Sequence, residues 1–501
     1  MNKIKYIIRF SSYSLILSLM VVLVSCSKFL SSQDPSNYTE NSFYKTATDA
    51  QQAVNAIYAD VYGLTFDQPW LIDLVRTGIV NTAFPADAGW PSLVKAKNLG
   101  NFSDHTDLEV LWNTYYKGIA DANVALAHIP AINMDATQKK QLLGQAHFLR
   151  AYYYFNLVRM FGKVPLLTKP VESLSSSELD PSRAPVDSVY NVIVNDLKIA
   201  DAAGLPFNNT TGRVTDGAVE SLLSTVYLTM AGYPLQGGTQ YYKLARDEAK
   251  KVIDSNAYNL FNSYDFLKDP TYDNTGEYIF EIQYDKNNHP NNSIQEGFEP
   301  YRAGISRSPT EEGFVWVLDG FVNSYSNGDK RKKAYFYDHY PSYANPSDTV
   351  NFGNYYPFKF FNKNFVNTTK SGLNWPVIRY PEVLLNFAEA SNEVSGPTPE
   401  AYQAINKVRE RAGLSDLSGL NQSEFRDSVW TEEYHEECFE NKIWFLMART
   451  RKALNLSTGK FENYVGHTFS YGITLKQSDL LFPIPISVIR TNPNIKQNPG
   501  F

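Results

Sequence analysis

Apolar residues return at steps of three and four in one segment of this chain after another, and that spacing limits the fold more than any other feature. Leu111, Tyr115, Ile119, Ala122 and Leu126 form one such series, and Leu142, Ala146, Leu149, Tyr153 and Leu157 form another. Val219, Leu222, Leu223, Val226, Tyr227 and Met230 continue the pattern, as do Ala401, Ile405, Val408 and Ala412 after the break at Gly396-Pro397-Thr398-Pro399. Side chains three and four residues apart share one face of an α-helix, so each segment predicts a helix with a single apolar stripe that must be covered by a neighbour. Further helices are expected near 185–203, 216–232, 240–255, 380–394, 399–412 and 422–454. Paired helices of this kind predict a mainly α fold of antiparallel hairpins stacked as in tetratricopeptide solenoids, although no regular 34-residue period is visible.

Between about 257 and 378 the texture changes to Gly, Asn, Pro and aromatic residues with short strand-like runs such as Tyr278 to Tyr284. This stretch is expected to be loop-rich and to carry the functional surface. Aromatic residues make up 14% of the chain, with 34 Tyr and 30 Phe. Rings in such connecting stretches exceed what a packed core needs, and exposed rings serve recognition.

The N-terminus reads as an export signal. Lys3, Lys5 and Arg9 precede an apolar run from Leu15 to Val24, too short to span a bilayer comfortably. Leu23-Val24-Ser25-Cys26 follows and resembles the lipobox of bacterial lipoproteins, which makes Cys26 the expected lipidation site. Acyl chains at that cysteine would anchor the protein, since each buried methylene contributes about 0.8 kcal/mol. Residues 27–46 are Ser-, Asn- and Asp-rich and suit a flexible stalk. The other cysteine, Cys438, then has no partner for a disulfide and is expected to be a packed thiol.

Net charge is −6, and the densest cationic run, Lys330 to Lys333, is four residues long, which argues against nucleic acid as a partner. The seven His lack ligand-like spacing, and neither a Gly-x-Ser-x-Gly elbow nor a phosphate loop occurs, so no metal or cofactor is expected. The acidic run Glu432, Glu433, Glu436, Glu437 and Glu440 invites comparison with glycoside hydrolases, which set two carboxylates about 5–10 Å apart across one bond. Helical spacing instead stacks these residues in surface stripes that can pair with Lys442 or Arg449. His435-Glu436 lacks the second His that a zinc helix needs, because position 439 is Phe.

Several segments in order resemble the SusD/RagB family across nearly the whole chain beyond the leader. They are Leu111 to Tyr116 with Ala122-Asn123, Gly144 to Arg159 followed by Phe161-Gly162-Lys163-Val164-Pro165-Leu166, and Gly212 to Thr215. Arg379 to Ala390 and the ending Leu481 to Pro485 with Asn492-Pro493 and Gln497 to Phe501 complete the set. In one departure, Asn441 and Lys442 stand where Gly and Arg are commoner.

The resemblance implies a tetratricopeptide-like scaffold with a loop-rich, irregular ligand-binding portion. It divides the chain into a signal peptide (1–25), a lipidated stalk (26–46), an N-terminal helical region (47–256), a loop-rich insert (257–378) and a C-terminal helical region (379–501). It also implies a non-enzymatic lipoprotein of the outer membrane, facing the exterior, that passes nutrient to a SusC-like TonB-dependent transporter. The expected ligand is a glycan; relatives of the RagB type bind peptides, and a lipid-anchored hydrolase is the remaining alternative. Sugar rings present C–H faces to flat apolar side chains and hydroxyls to polar ones. Trp90, in a breaker-rich loop, and Tyr301 are the first candidates for ligand contact, with Trp70, Asp87 and Arg302 beside them. Trp112, Trp316 and Trp444 fall in periodic segments and are expected in the core.

Overall fold

The apolar stripes become helices. The protein is represented here by a computed structural model that describes residues 43–66, 74–82, 91–173, 175–284, 292, 294–307, 311–367 and 371–501. Ten helices form the frame: α1 (Ala47–Phe66), α2 (Thr106–His128), α3 (Ala136–Phe161), α4 (Val186–Asp201), α5 (Asp216–Ala231), α6 (Thr239–Asp254), α7 (Tyr380–Ser395), α8 (Pro399–Ala412), α9 (Gln422–Glu436) and α10 (Ile443–Thr450). Their ends obey local chemistry. Asp135 caps α3 by accepting from the Gln138 amide, and Gly162 ends it with φ +71°, a conformation that favours glycine. Thr215 caps α5, Thr398 caps α8, and Asn421 and Glu424 form a capping box at α9.

Each helix packs on the next from α1 to α7, and α7 then takes both α8 and α9. One continuous apolar core runs from Ala50 to Ile495. Each fully buried Leu or Phe in it contributes about 1.5–3 kcal/mol. Trp112 and Trp444 lie in this core as expected. Polar pairing sets the registry of the first hairpins: Asp196 of α4 accepts from Arg150 of α3 at 2.7 and 2.8 Å and meets His147 at 2.7 Å, while Arg150 also donates to Asn123 of α2. The chain's ending closes on the same frame. Phe482 N–H donates to the Met160 carbonyl, and Asn498 donates to the carbonyls of Phe161 and Phe482.

The stretch 422–454, expected to be helical, holds two helices and the start of a strand. Arg379 donates to the Glu436 carbonyl, and the Lys359 ammonium donates to the carbonyls of Glu436 and Cys438. Phe439 and Asn441 turn the chain out of the helix at positive φ, and those side-chain donors satisfy carbonyls at its end. After α10 the chain forms a hairpin instead.

The acidic run is also not a surface stripe. Glu432, Glu433, Glu436, Glu437 and Glu440 are all buried. Cations from distant segments reach them: Glu432 meets Arg331 and Arg409 at 2.8 and 2.6 Å, and Glu436 meets Arg411 and Arg379 at 2.6 and 3.1 Å. Glu440 binds Arg379 and Lys359, and Glu433 approaches Arg449 at 3.4 Å as anticipated, whereas Lys442 pairs with Glu382. Burial pulls the Glu436 carboxyl upward, but Arg411, Arg379, Arg331 and Lys359 together hold it at about 2. Cys438 is the packed thiol expected, with burial raising it to about 11.

Residues 255–379 lie between α6 and α7 without separating them, since the two helices pack directly on each other. Strand β2 (Tyr278–Ile282) near the start of this segment pairs antiparallel with β6 (Trp375–Arg379) at its end. A second sheet orders its strands as β1 (Val80–Asn81), β3 (Trp316–Val317), β5 (Thr349–Pro357) and β4 (Phe336–Pro341), all antiparallel. Among the described residues, no helix is long and apolar enough to cross a membrane.

Candidate ligand-binding site

The turn that carries Tyr301 and Arg302 is built on a buried carboxylate. Glu311 accepts hydrogen bonds from the amides of Ile305 and Ser306 at 2.6 and 2.7 Å and from that of Gly304, and its own carbonyl accepts from Arg302 N–H. A carboxylate that gathers three amides fixes the backbone around it. Ser306 in turn donates to Glu299, which burial raises to about 7 against the donors Gln295 and Ser306. Arg302 has φ +49°, and Gly313 packs so closely on Tyr301 that a Cβ there would strike its backbone. The outcome is an exposed guanidinium 4.8 Å from the centre of a half-buried phenol ring.

The structure therefore brings together two of the residues expected to touch ligand. Trp70, Asp87 and Trp90 lie outside the described residues, as does Cys26. The described stem before Asp87 and Trp90 is firmly placed: Asn81 pairs with Trp316, and the Lys97 ammonium donates to Asn81 and to the Thr82 carbonyl. Trp316 itself departs from expectation. It is half-buried and packs on a second apolar cluster, separate from the main core, because its strand is flanked by the β4–β5 hairpin instead of by helices.

That second cluster contains Ile305, Tyr337, Tyr356 and Phe361, with Ala303, Tyr340 and Phe358 packed against it, so it is continuous with the Tyr301 turn. On its other side opens a cleft of about 400 Å³ walled by Phe266, Tyr272, Tyr340, Phe358 and Phe361. Phe266 and Tyr272 stack with their planes 11° apart and centres at 4.0 Å, and Phe358 and Phe361 stack at 5.1 Å. Asp265, Asp269, Lys363 and Asn364 also line the cleft, with the buried Asn362 behind them. The buried Lys268 ammonium stands 3.8 Å from the centre of the Phe358 ring; burial lowers it to about 8, with Asp265 opposing. Flat ring faces beside acceptors and donors of both signs meet the demands of a saccharide.

Sequence reading missed these cleft residues. The signal available was the density of rings in Phe336 to Tyr340 and Tyr355 to Phe361, which locates aromatics without saying which of them face a common space. A different cavity, of about 420 Å³, opens at the C-terminal end of α3. Its cations serve the frame: Arg159 lies between the rings of Phe155 and Phe445, and Arg183 donates to the carbonyls of Phe161, Lys163 and Lys496.

Stacked helical hairpins that support an irregular, aromatic-lined region have clear counterparts. The SusD family profile matches residues 315–501, and the profile of a family described as "Starch-binding associating with outer membrane" matches residues 28–228. A SusD superfamily protein from Parabacteroides distasonis, known from its crystal structure, is 35% identical, with a TM-score of 0.87 over 93% of this chain and 100% of that one. SusD-like protein P2 of Formosa agariphila is 28% identical over 96% of this chain and 98% of its own length. A laminarin-binding SusD-like protein shares the fold at 23% identity, with a TM-score of 0.73 over 91% of this chain and 100% of that one. The chain belongs to the SusD/RagB family.

Proposed function

We propose that this protein is a lipoprotein, anchored through Cys26 and facing the cell exterior, that captures glycans at the outer membrane and delivers them to a SusC-like TonB-dependent transporter without catalysing a reaction on them. The observation that carries this reading is the aromatic cleft beside the Tyr301–Arg302 turn. Stacked ring faces and a lining of carboxylates, amides and lysines occupy one side of a rigid frame. Trp90, Asp87 and Trp70, which lie outside the described residues, are kept as proposed ligand contacts on their sequence context. A relative named for laminarin and a family named for starch and the outer membrane support the ligand class and the location.

The test is affinity electrophoresis and calorimetry of the purified protein against a panel that includes laminarin, starch and peptides. Glycan binding is expected, weakened several-fold by Trp90→Ala, Tyr301→Ala or Tyr272→Ala, since each ring contact is worth about 0.5–1.5 kcal/mol. Binding of peptides alone would transfer the same architecture to the RagB-type alternative. Cleavage of the glycan during prolonged incubation would overturn the non-catalytic role.

A further inference from the structure

Three carboxylates converge where α4 hands over to α5, on a part of the frame with no role in the aromatic cleft. Asp201 is the last residue of α4, Asp216 the first of α5, and Glu220 lies one turn further along the same face. One oxygen from each lies within 4.8 Å of the others. The Glu220 side chain is only 8% exposed, and its Oε2 has no hydrogen-bond donor; nor has Asp216 Oδ1. Unmade hydrogen bonds at buried carboxylates are expensive, so these oxygens call for a ligand.

The groups facing Glu220 do not satisfy it. On its own helix stands Asp216, from α4 comes Asp201, and from α6 come Glu248 and Lys251. Lys251 is 3.7 Å from Glu220 but 2.7 Å from Glu248, so this cation is drawn to another acid. Burial raises Asp216 to about 6, with Asp201 adding to the rise. Glu220 goes to about 7 through burial, with Asp216, Asp201 and Glu248 adding to the effect and Lys251 opposing it. Four carboxylates crowd together there, and Lys251 relieves the crowding only in part.

A hard divalent cation would relieve it better. Calcium accepts six to eight oxygen ligands at about 2.4 Å, so oxygens on opposite sides of the ion stand about 4.8 Å apart. We propose that Asp201, Asp216 and Glu220 form a calcium site that clips α4 to α5. Three carboxylates leave coordination positions for water, which places the affinity with weak extracellular calcium modules, a dissociation constant of about 0.1–1 mM. Magnesium, which demands a tight octahedron at about 2.0–2.1 Å, binds at least tenfold more weakly.

The test begins with the purified protein stripped by chelator and titrated calorimetrically with calcium chloride. One site is expected, together with a higher melting temperature in calcium. Terbium should occupy the same site and emit through sensitisation by Tyr258, whose hydroxyl lies 3.3 Å from Thr215 at the cap of α5, and calcium should quench that emission by displacement. Asp201→Asn and Glu220→Gln should each weaken calcium at least tenfold. Glu220→Gln removes a buried charge, so its melting temperature without calcium should match or exceed the wild type, which separates lost ligation from lost folding. Absence of calcium binding up to about 10 mM, ten times the weakest affinity expected, or a calcium site that survives both substitutions, would overturn the proposal.

Discussion

Arg379→Met offers the sharpest test of what holds the frame together. The guanidinium is 1% exposed and donates to Glu440 at 2.6 and 2.9 Å, to Glu277 at 2.6 Å, to Glu436 at 3.1 Å, and to the Glu436 carbonyl at 3.0 Å. Methionine fills part of the space but leaves those carboxylates in the interior with fewer counter-charges. Breaking a buried ion pair by removing one partner costs about 3–5 kcal/mol. With an unfolding entropy of about 2.1 cal/mol/K per residue, a body of roughly 450 residues loses about 3–5 °C of melting temperature for that deficit. Differential scanning calorimetry at neutral pH measures it directly.

The pH dependence of this variant separates electrostatics from packing. In the wild type, Glu436 is held at about 2, below its ordinary 4.5, so its contribution is present above 4.5 and is lost only as pH falls toward 2. In Arg379→Met, burial pushes the carboxyls left with fewer cations upward, and a proton relieves them as the solution is acidified. The deficit relative to wild type must therefore shrink between about pH 8 and about pH 5. A deficit that stays constant over that range, or a loss below about 1 °C, would refute the reasoning that Arg379 neutralises the acidic run.

Further expectations follow from other buried groups. Glu437, raised to about 8 by burial and by Glu382 and Glu440, keeps its proton in the fold; the associated stability is present below 4.5 and lost as pH rises through 8, so Glu437→Gln should raise the melting temperature more at pH 9 than at pH 5. Cys438 should resist thiol reagents in the native protein and react fully only in denaturant, because it is buried and its thiolate is disfavoured. Glu311→Ala should cost about 1–3 kcal/mol by freeing the amides of Gly304, Ile305 and Ser306, which hydrogen exchange would report, and should weaken glycan binding through the Tyr301 turn; Glu311→Gln should recover part of both.

Periodicity carried far into this fold because the helices of the frame contact mainly their neighbours in order. Stripes such as Leu142 to Leu157 and Ala401 to Ala412 mark faces that are buried in the structure. Spacing misled where partners come from afar. Nothing within 422–454 announces that Arg379 and Lys359 will take the carbonyls of Glu436 and Cys438, or that Arg331, Arg379, Arg409 and Arg411 will draw the glutamates inward. The same limit applies to the candidate site. Tyr301 stands out by its loop context, whereas Tyr340, Phe358 and Phe361 share a wall with Phe266 and Tyr272 across segments far apart in sequence.

The direct packing of α6 on α7, with β2 and β6 paired at the neck of the segment between them, has an evolutionary consequence. Both ends of that segment are clamped side by side, so its interior can grow, shrink or be replaced while the clamp stays shut. Doubling the length of a flexible stretch adds only about 0.6 kcal/mol of closure entropy. A lineage built on this plan can therefore change what it grips by rewriting a cassette, at small expense to the architecture that displays it.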